Sequence, residues 1–370
     1  MATLGGLYVH HDTGAPAGQD QYTTLVVIHG YVWHGGIFAK LIPLADTYGV
    51  RIILLNRREY PGAVPYTAEE RALIPSVPSK PRTDKHEIRS ATEMLETFMR
   101  DRARELYDAL QGLVQERNLP PVHPTSLAGG MVLVGWSMGA TWMTALLSHV
   151  AEFPMGAVNL RDYVRRVALW DPPSSLLGYP HPEQDPYNPF FDTSLTYEER
   201  GLVFTNWITS YFSHGATLET FERHTPLRSP PSTITVMGKE ELEATVHIPP
   251  GVPGGSDWAL LHGCISLGVY GTLRRGALFF SLRSGVDETE IAGDEWRAVE
   301  VRYVWGENSI WEAPYAAQML HQEVGEAKRN GDAVRKITTF RVRGANHFGQ
   351  WDQPERTLQG FLADAEDCDA

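Results

Sequence analysis

The chain has 370 residues, 42% of them hydrophobic and 21% charged, an ordinary balance for a globular protein with a sizeable core. A formal charge of −13 and a pI near 5.5, without any basic stripe, argue against nucleic acid as a partner. No apolar run nears the roughly 18 residues of a membrane span, no secretory signal opens the chain, and Cys264 and Cys368 alone cannot build a disulfide framework, so cytoplasm is the expected compartment.

In chain order, the paired His10 and His11 are expected on an exposed early strand. Residues 23–28 (TTLVVI) form a short apolar, β-branched run stopped by His29-Gly30, the pattern of a buried strand. Residues 38–48 have helical spacing, and residues 51–55 (RIILL) give a second buried strand. From about 86 to 116, Ile88, Ala91, Leu95, Phe98, Leu106, Leu110 and Leu113 recur at three and four, one apolar stripe on a long helix. Further strands are expected at 132–134, 164–170, 299–305 and 337–342, with helices at about 313–328 and 354–365. Strands alternating with helices predict the α/β class, a mostly parallel central sheet with helices on both faces.

Residues 172–295 break this rhythm. They open with DPPSSLLGYPHPEQDPYNPF from Asp171, carry a capping box of Thr196 and Glu199 before a helix, and are punctuated by Pro230-Pro231 and GVPGG at 251–255. They are expected to form an inserted, mainly helical lid, with 1–171 and 296–370 as the core. Nothing in the sequence indicates the oligomeric state.

Residues 131–140 read MVLVGWSMGA, so Gly135-Trp136-Ser137-Met138-Gly139 is a G-x-S-x-G pattern between a strand and a helix-prone segment. A serine on such a sharp turn has an unfavourable backbone, and the flanking glycines remove Cβ atoms that would clash. The serine needs a base. His347, in Gly344-Ala345-Asn346-His347-Phe348 just after the final strand, stands where one is delivered.

With His29-Gly30-Tyr31 after the first buried strand, these features resemble the α/β-hydrolase superfamily, closest in look to its serine esterases, lactonases and lipase-like members with a lid. The resemblance implies Ser137 as nucleophile, His347 as base, and the backbone N–H groups of Tyr31 and Met138 as an oxyanion hole. It implies no catalytic part for the side chain of His29, and His34 is read as loop or pocket wall. The acid departs from the usual pattern, since Gly306-Glu307-Asn308-Ser309 puts a serine at the expected acid position. Asp171, at the tip of VALWD, is preferred over Glu307, with Glu312 a distant third.

An aspartate nucleophile is excluded at position 137, and no metal or nucleotide motif is present, so no cofactor is expected. The expected substrate is a small or medium-sized apolar ester or lactone, bound by Trp136 beside the serine and by Trp207, Tyr211 and Phe212 of the insert. Tyr179, Tyr187, Phe190, Phe191 and Trp258 add to the aromatic surface there. A lyase or carbon–carbon bond hydrolase with the same serine, and a non-catalytic ligand-binding receptor, share these signals.

Overall fold

A computed structural model describes residues 3–123, 128–280 and 295–363. Eight strands, β1 (Thr3–Leu4), β2 (Leu7–Asp12), β3 (Thr23–Ile28), β4 (Val50–Asn56), β5 (Met131–Trp136), β6 (Val164–Trp170), β7 (Glu300–Gly306) and β8 (Ile337–Val342), form one sheet. Their order is β1-β2-β4-β3-β5-β6-β7-β8, with β1 and β2 antiparallel and the six others parallel. Every residue of β3, β4 and β5 is buried, which is why these strands read as unbroken apolar runs rather than alternations.

The expected strands are all present, three of them with unchanged bounds. The two-residue β1 is too short to leave a periodic signal. His10 and His11 are half-buried rather than exposed, because β2 pairs with β4 and the His10 ring meets that of His34. The helical spacing at 38–48 resolves into a 3₁₀ helix, Gly35–Leu44, and one α-turn, Ala45–Tyr48. Pro43 inside this stretch has no N–H for an α-helical bond.

The long helix Lys85–Arg117 packs on Gly139–His149, which in turn packs on Val269–Leu278, while Pro354–Leu362 packs on the sheet and on the 3₁₀ helix. Between β6 and β7 the described chain contains the helices Tyr197–Ile208, Ser256–Ser266 and Val269–Leu278, with the short helical turns Thr233–Val236 and Lys239–Glu243, amid turns and 3₁₀ segments. The last part of the region expected as an insert, residues 281–294, lies outside the described residues, as does Cys368. No described helix is long and apolar enough to cross a membrane.

Strand order reverses between β3 and β5, since the chain passes from β3 to β4 on one side and then to β5 on the other. At such a switch point the loops leaving the carboxyl ends of the strands diverge and open a crevice. Here those loops are His29 to His34 after β3 and Ser137 after β5.

Candidate active site

Ser137 adopts φ +52°, the left-handed region that a side chain with a Cβ resists. The turn is held by the sheet, with Ser137 N–H donating to Trp170 O at 2.9 Å. A Cβ on Gly135 would lie 2.5 Å from Gly139 O, and one on Gly139 would lie 2.6 Å from Ile28 O, so both glycines are required by close backbone approach. Helix Gly139–His149 starts directly after the turn, with Met138 at its N-cap.

Register carries the acid alongside. Trp136 pairs with Trp170, so Asp171 at the end of β6 emerges next to Ser137 at the end of β5. Asp171 is fully buried with φ +50°. Its Oδ1 accepts from Gly306 N at 2.8 Å, while Oδ2 accepts from Ser309 Oγ at 2.5 Å and lies 2.6 Å from His347 Nδ1. With Nδ1 facing the carboxylate, Nε2 is the ring nitrogen left for the cavity that His347 shares with Ser137.

The loop bearing His347 is fixed from its neighbours. Asn346 Nδ2 donates to Thr209 O and to Thr233 Oγ1, both at 2.8 Å, and Trp136 Nε1 donates to His347 O at 3.0 Å. The other two carboxylates lie elsewhere. Glu307 accepts from Gly344 N at 2.9 Å and pairs with Arg341 at 3.6 Å. Glu312 is buried among Ser174, Ser175, Asn188 and His181; burial opposes its ionised form, but the His181 and Asn188 contacts prevail and hold its carboxyl below the usual range. Neither reaches His347.

Tyr31 N–H and Met138 N–H meet no hydrogen-bond acceptor among the described residues. Buried backbone donors are almost always paired, so two donors without an acceptor beside a strained serine set this site apart. His29 is buried, and burial together with the Arg57 cation holds it well below the ordinary histidine range. Its Nε2 accepts from Arg57 N at 3.0 Å and its Nδ1 faces Gly30 O at 2.9 Å, a structural place consistent with one neutral tautomer. His34 caps the 3₁₀ helix, its Nδ1 accepting from Gly36 N at 3.3 Å, and is not a cavity wall.

Ser137, Met138, Tyr31 and His347 border a cavity of about 360 Å³. Trp136 and Trp207 are in its wall, as are Phe190, Phe191 and Trp258. Tyr211 and Phe212 are not, which corrects the expectation for both. The Tyr211 hydroxyl is turned to Asp352 at 2.6 Å, and Phe212 is fully buried with its backbone clasped by Asn308. Tyr179 and Tyr187 also lie outside it; the former donates to Glu323 at 2.7 Å under the guanidinium of Arg274. Trp33 and Phe348, whose rings meet edge to face, also line the cavity, although the sequence reading did not single them out.

A sequence model of the alpha/beta hydrolase family matches residues 25–359. The chain belongs to that family. Among solved structures this alpha/beta hydrolase is similar to an esterase from Exiguobacterium antarcticum, with 13% identity over 97% of this chain and 96% of that one and a TM-score of 0.48. It is similar also to Est816, an N-acyl homoserine lactone degrading enzyme (13% identity, 96% of each chain, TM-score 0.48). A bromoperoxidase from Bacillus anthracis is a third (14% identity, 97% and 95%, TM-score 0.44). No curated protein matches the sequence.

Proposed function

We propose that this alpha/beta hydrolase is a serine hydrolase that cleaves an apolar carboxylic ester or lactone through an acyl-enzyme. The observation that carries the reading is the 2.6 Å contact of His347 Nδ1 with buried Asp171, in a histidine that shares a cavity with the strained Ser137. In the proposed reaction His347 Nε2 takes the Ser137 proton as Oγ attacks the substrate carbonyl carbon. The oxygen, now negative, is received by the N–H groups of Tyr31 and Met138. Collapse expels the alcohol, protonated by His347, and water repeats the sequence to release the acid. Asp171 holds the imidazole in one tautomer and stabilises its charged form.

Apolar substrate choice is supported by the cavity wall, where Trp33, Trp136, Phe190, Trp207, Trp258 and Phe348 surround few polar groups. Several of these belong to residues 172–295, which in this reading act as the lid, and the reaction needs no cofactor. A cytoplasmic setting, supported by the low cysteine content, belongs to the same proposal.

The test is labelling by a fluorophosphonate probe, with an activity panel of esters of graded acyl length, lactones and amides. Labelling lost in Ser137→Ala, with turnover highest on apolar esters or lactones, is the expected result. Turnover that survives Ser137→Ala would remove the serine from the chemistry.

A further inference from the structure

A buried network links the inserted region to the loop after β3. Arg57, at the end of β4 and fully buried, makes a bidentate pair with Asp257 in helix Ser256–Ser266, at 2.8 and 2.6 Å. The same guanidinium donates to Gly30 O at 2.8 Å. Tyr60, also buried, donates its hydroxyl proton to Asp257 Oδ2 at 2.6 Å and accepts Val32 N–H at 3.0 Å.

We infer that Asp257, with Arg57 and Tyr60, positions the Tyr31 N–H, so that the cavity wall and the oxyanion donor are set by one network. The inference rests on the serine hydrolase reading above. Gly30 C=O and Tyr31 N–H belong to one planar trans peptide and point in opposite directions. Holding Gly30 O against Arg57 therefore fixes where the Tyr31 N–H aims. Asp257 holds Arg57 in that orientation, and by accepting the hydrogen bond of the Tyr60 hydroxyl it turns that oxygen's lone pairs toward Val32 N–H and the Arg57 guanidinium.

The backbone of this loop would not hold itself. Val32 has φ +55°, a conformation a β-branched residue keeps only where its surroundings over-determine it. Those surroundings come largely from the insert. His247 N–H donates to Val32 O at 2.6 Å, His34 N–H donates to Thr245 O at 2.9 Å, Trp33 bridges to Val246, and the Tyr31 hydroxyl donates to Gly251 O. Asp257, Arg57 and Tyr60 touch no substrate in this arrangement. They are positioning residues.

The test uses the full chain with two substitutions. Tyr60→Phe keeps the Arg57–Asp257 pair and removes only the hydroxyl that receives Val32 N–H; Asp257→Asn keeps the shape and removes the charge. Each is compared with the unsubstituted protein by amide hydrogen exchange of the peptide covering residues 29–35, by thermal midpoint, and by fluorophosphonate labelling rate with kcat and KM on p-nitrophenyl butyrate. Positioning predicts exchange faster by roughly tenfold in that peptide alone. It also predicts kcat and labelling lowered on the order of 10- to 100-fold with KM held within about twofold. Unchanged exchange in Tyr60→Phe overturns the inference. So does faster exchange with unchanged kcat, or a rise in KM alone, because the network would then only brace the insert. If the unsubstituted protein is inert and unlabelled, the serine hydrolase reading fails and the catalytic part of the inference with it, while the exchange result still decides whether Asp257 and Tyr60 hold the loop.

Discussion

Ser309 donates its hydroxyl to Asp171: Oγ lies 2.5 Å from Oδ2, the oxygen that also faces His347 Nδ1 at 2.6 Å. The loop after β7 thus supplies a neutral donor at position 309, and the carboxylate that faces His347 stands at the end of β6. Ser309 and His347 meet at one carboxylate oxygen. A fully buried carboxylate needs such donors, and here Gly306 N–H supplies another at 2.8 Å.

The first prediction follows from that arrangement. An amide at position 171 would keep the volume but present a donor to His347 and Ser309, favouring the wrong tautomer, a change that costs on the order of 10⁴ in kcat in a serine protease. Asp171→Asn is expected to lose activity on that scale while circular dichroism stays native. Glu307→Gln, which touches Gly344 and Arg341 and not His347, is expected to stay within about tenfold of the unsubstituted rate. Steady-state kinetics on one ester compares them, and a crippling Glu307→Gln with a tolerated Asp171→Asn would move the acid to the usual loop.

The second prediction concerns the nucleophile. Ser137→Ala is expected to abolish fluorophosphonate labelling and to lower kcat by on the order of 10⁴ to 10⁶. The fold should persist, because among the described residues no side-chain hydrogen bond of Ser137 supports the elbow; the backbone bond to Trp170 O and the approach of Gly135 and Gly139 do. Mass spectrometry of the labelled protein and its thermal midpoint report the two halves separately.

The central strands were legible because parallel strands buried on both faces read as continuous apolar runs; β3, β6 and the partly exposed edge strand β8 carry the bounds read from the sequence. Ser137 and His347 could be singled out as candidates because local patterns mark them, a glycine-flanked turn in one case and a loop after a final strand in the other, and the structure brings both to one cavity. The sequence favoured Asp171 over Glu307, but which carboxylate faces His347 depends on register between β5 and β6 and on the loop from β7, which no local pattern encodes. Nor does aromatic composition tell which way a ring points. The Tyr211 hydroxyl reaches Asp352, 141 residues away in sequence, and the Phe212 ring lies against Trp207 and His214. The Arg57–Asp257 pair spans 200 residues and left no signal beyond an arginine at the end of a buried strand.

The third prediction separates two aromatics that the sequence grouped together. Trp207 is in the cavity wall and Phe212 is not. Trp207→Ala is therefore expected to shift acyl-length preference by about an order of magnitude, while the rate on an acetyl ester changes little, since a substituent's fit in an apolar pocket is worth ~1–3 kcal/mol. Phe212→Ala removes a fully buried ring and is expected to destabilise the fold by about 3–5 kcal/mol with unchanged preference among substrates. Relative kcat/KM across a chain-length series, beside denaturant unfolding, measures both. Equal loss on every ester in Trp207→Ala would make that side chain core packing.

The fourth prediction concerns acid stability and Glu300, at the start of β7. Burial opposes its ionised form, but the Thr338 hydroxyl at 2.6 Å and the guanidinium groups of Arg166 and Arg302 outweigh it, and its carboxyl is pushed down to about 2 from 4.5. A carboxyl whose folded value lies below its unfolded one binds protons more readily when the chain unfolds. Its stabilisation is therefore complete above about pH 4.5 and is lost as pH falls from there toward about 2. In Glu300→Gln the contribution is absent at every pH, and Arg166 and Arg302 lose their common anion. The stability gap between the unsubstituted protein and this variant, measured by urea unfolding, is expected to be constant from pH 6 to 8 and to shrink steadily below about pH 4.5. A gap that does not change between pH 6 and pH 3 would show that the Glu300 carboxylate is not ionised at the expense of the unfolded chain, and would assign the loss in the variant to packing.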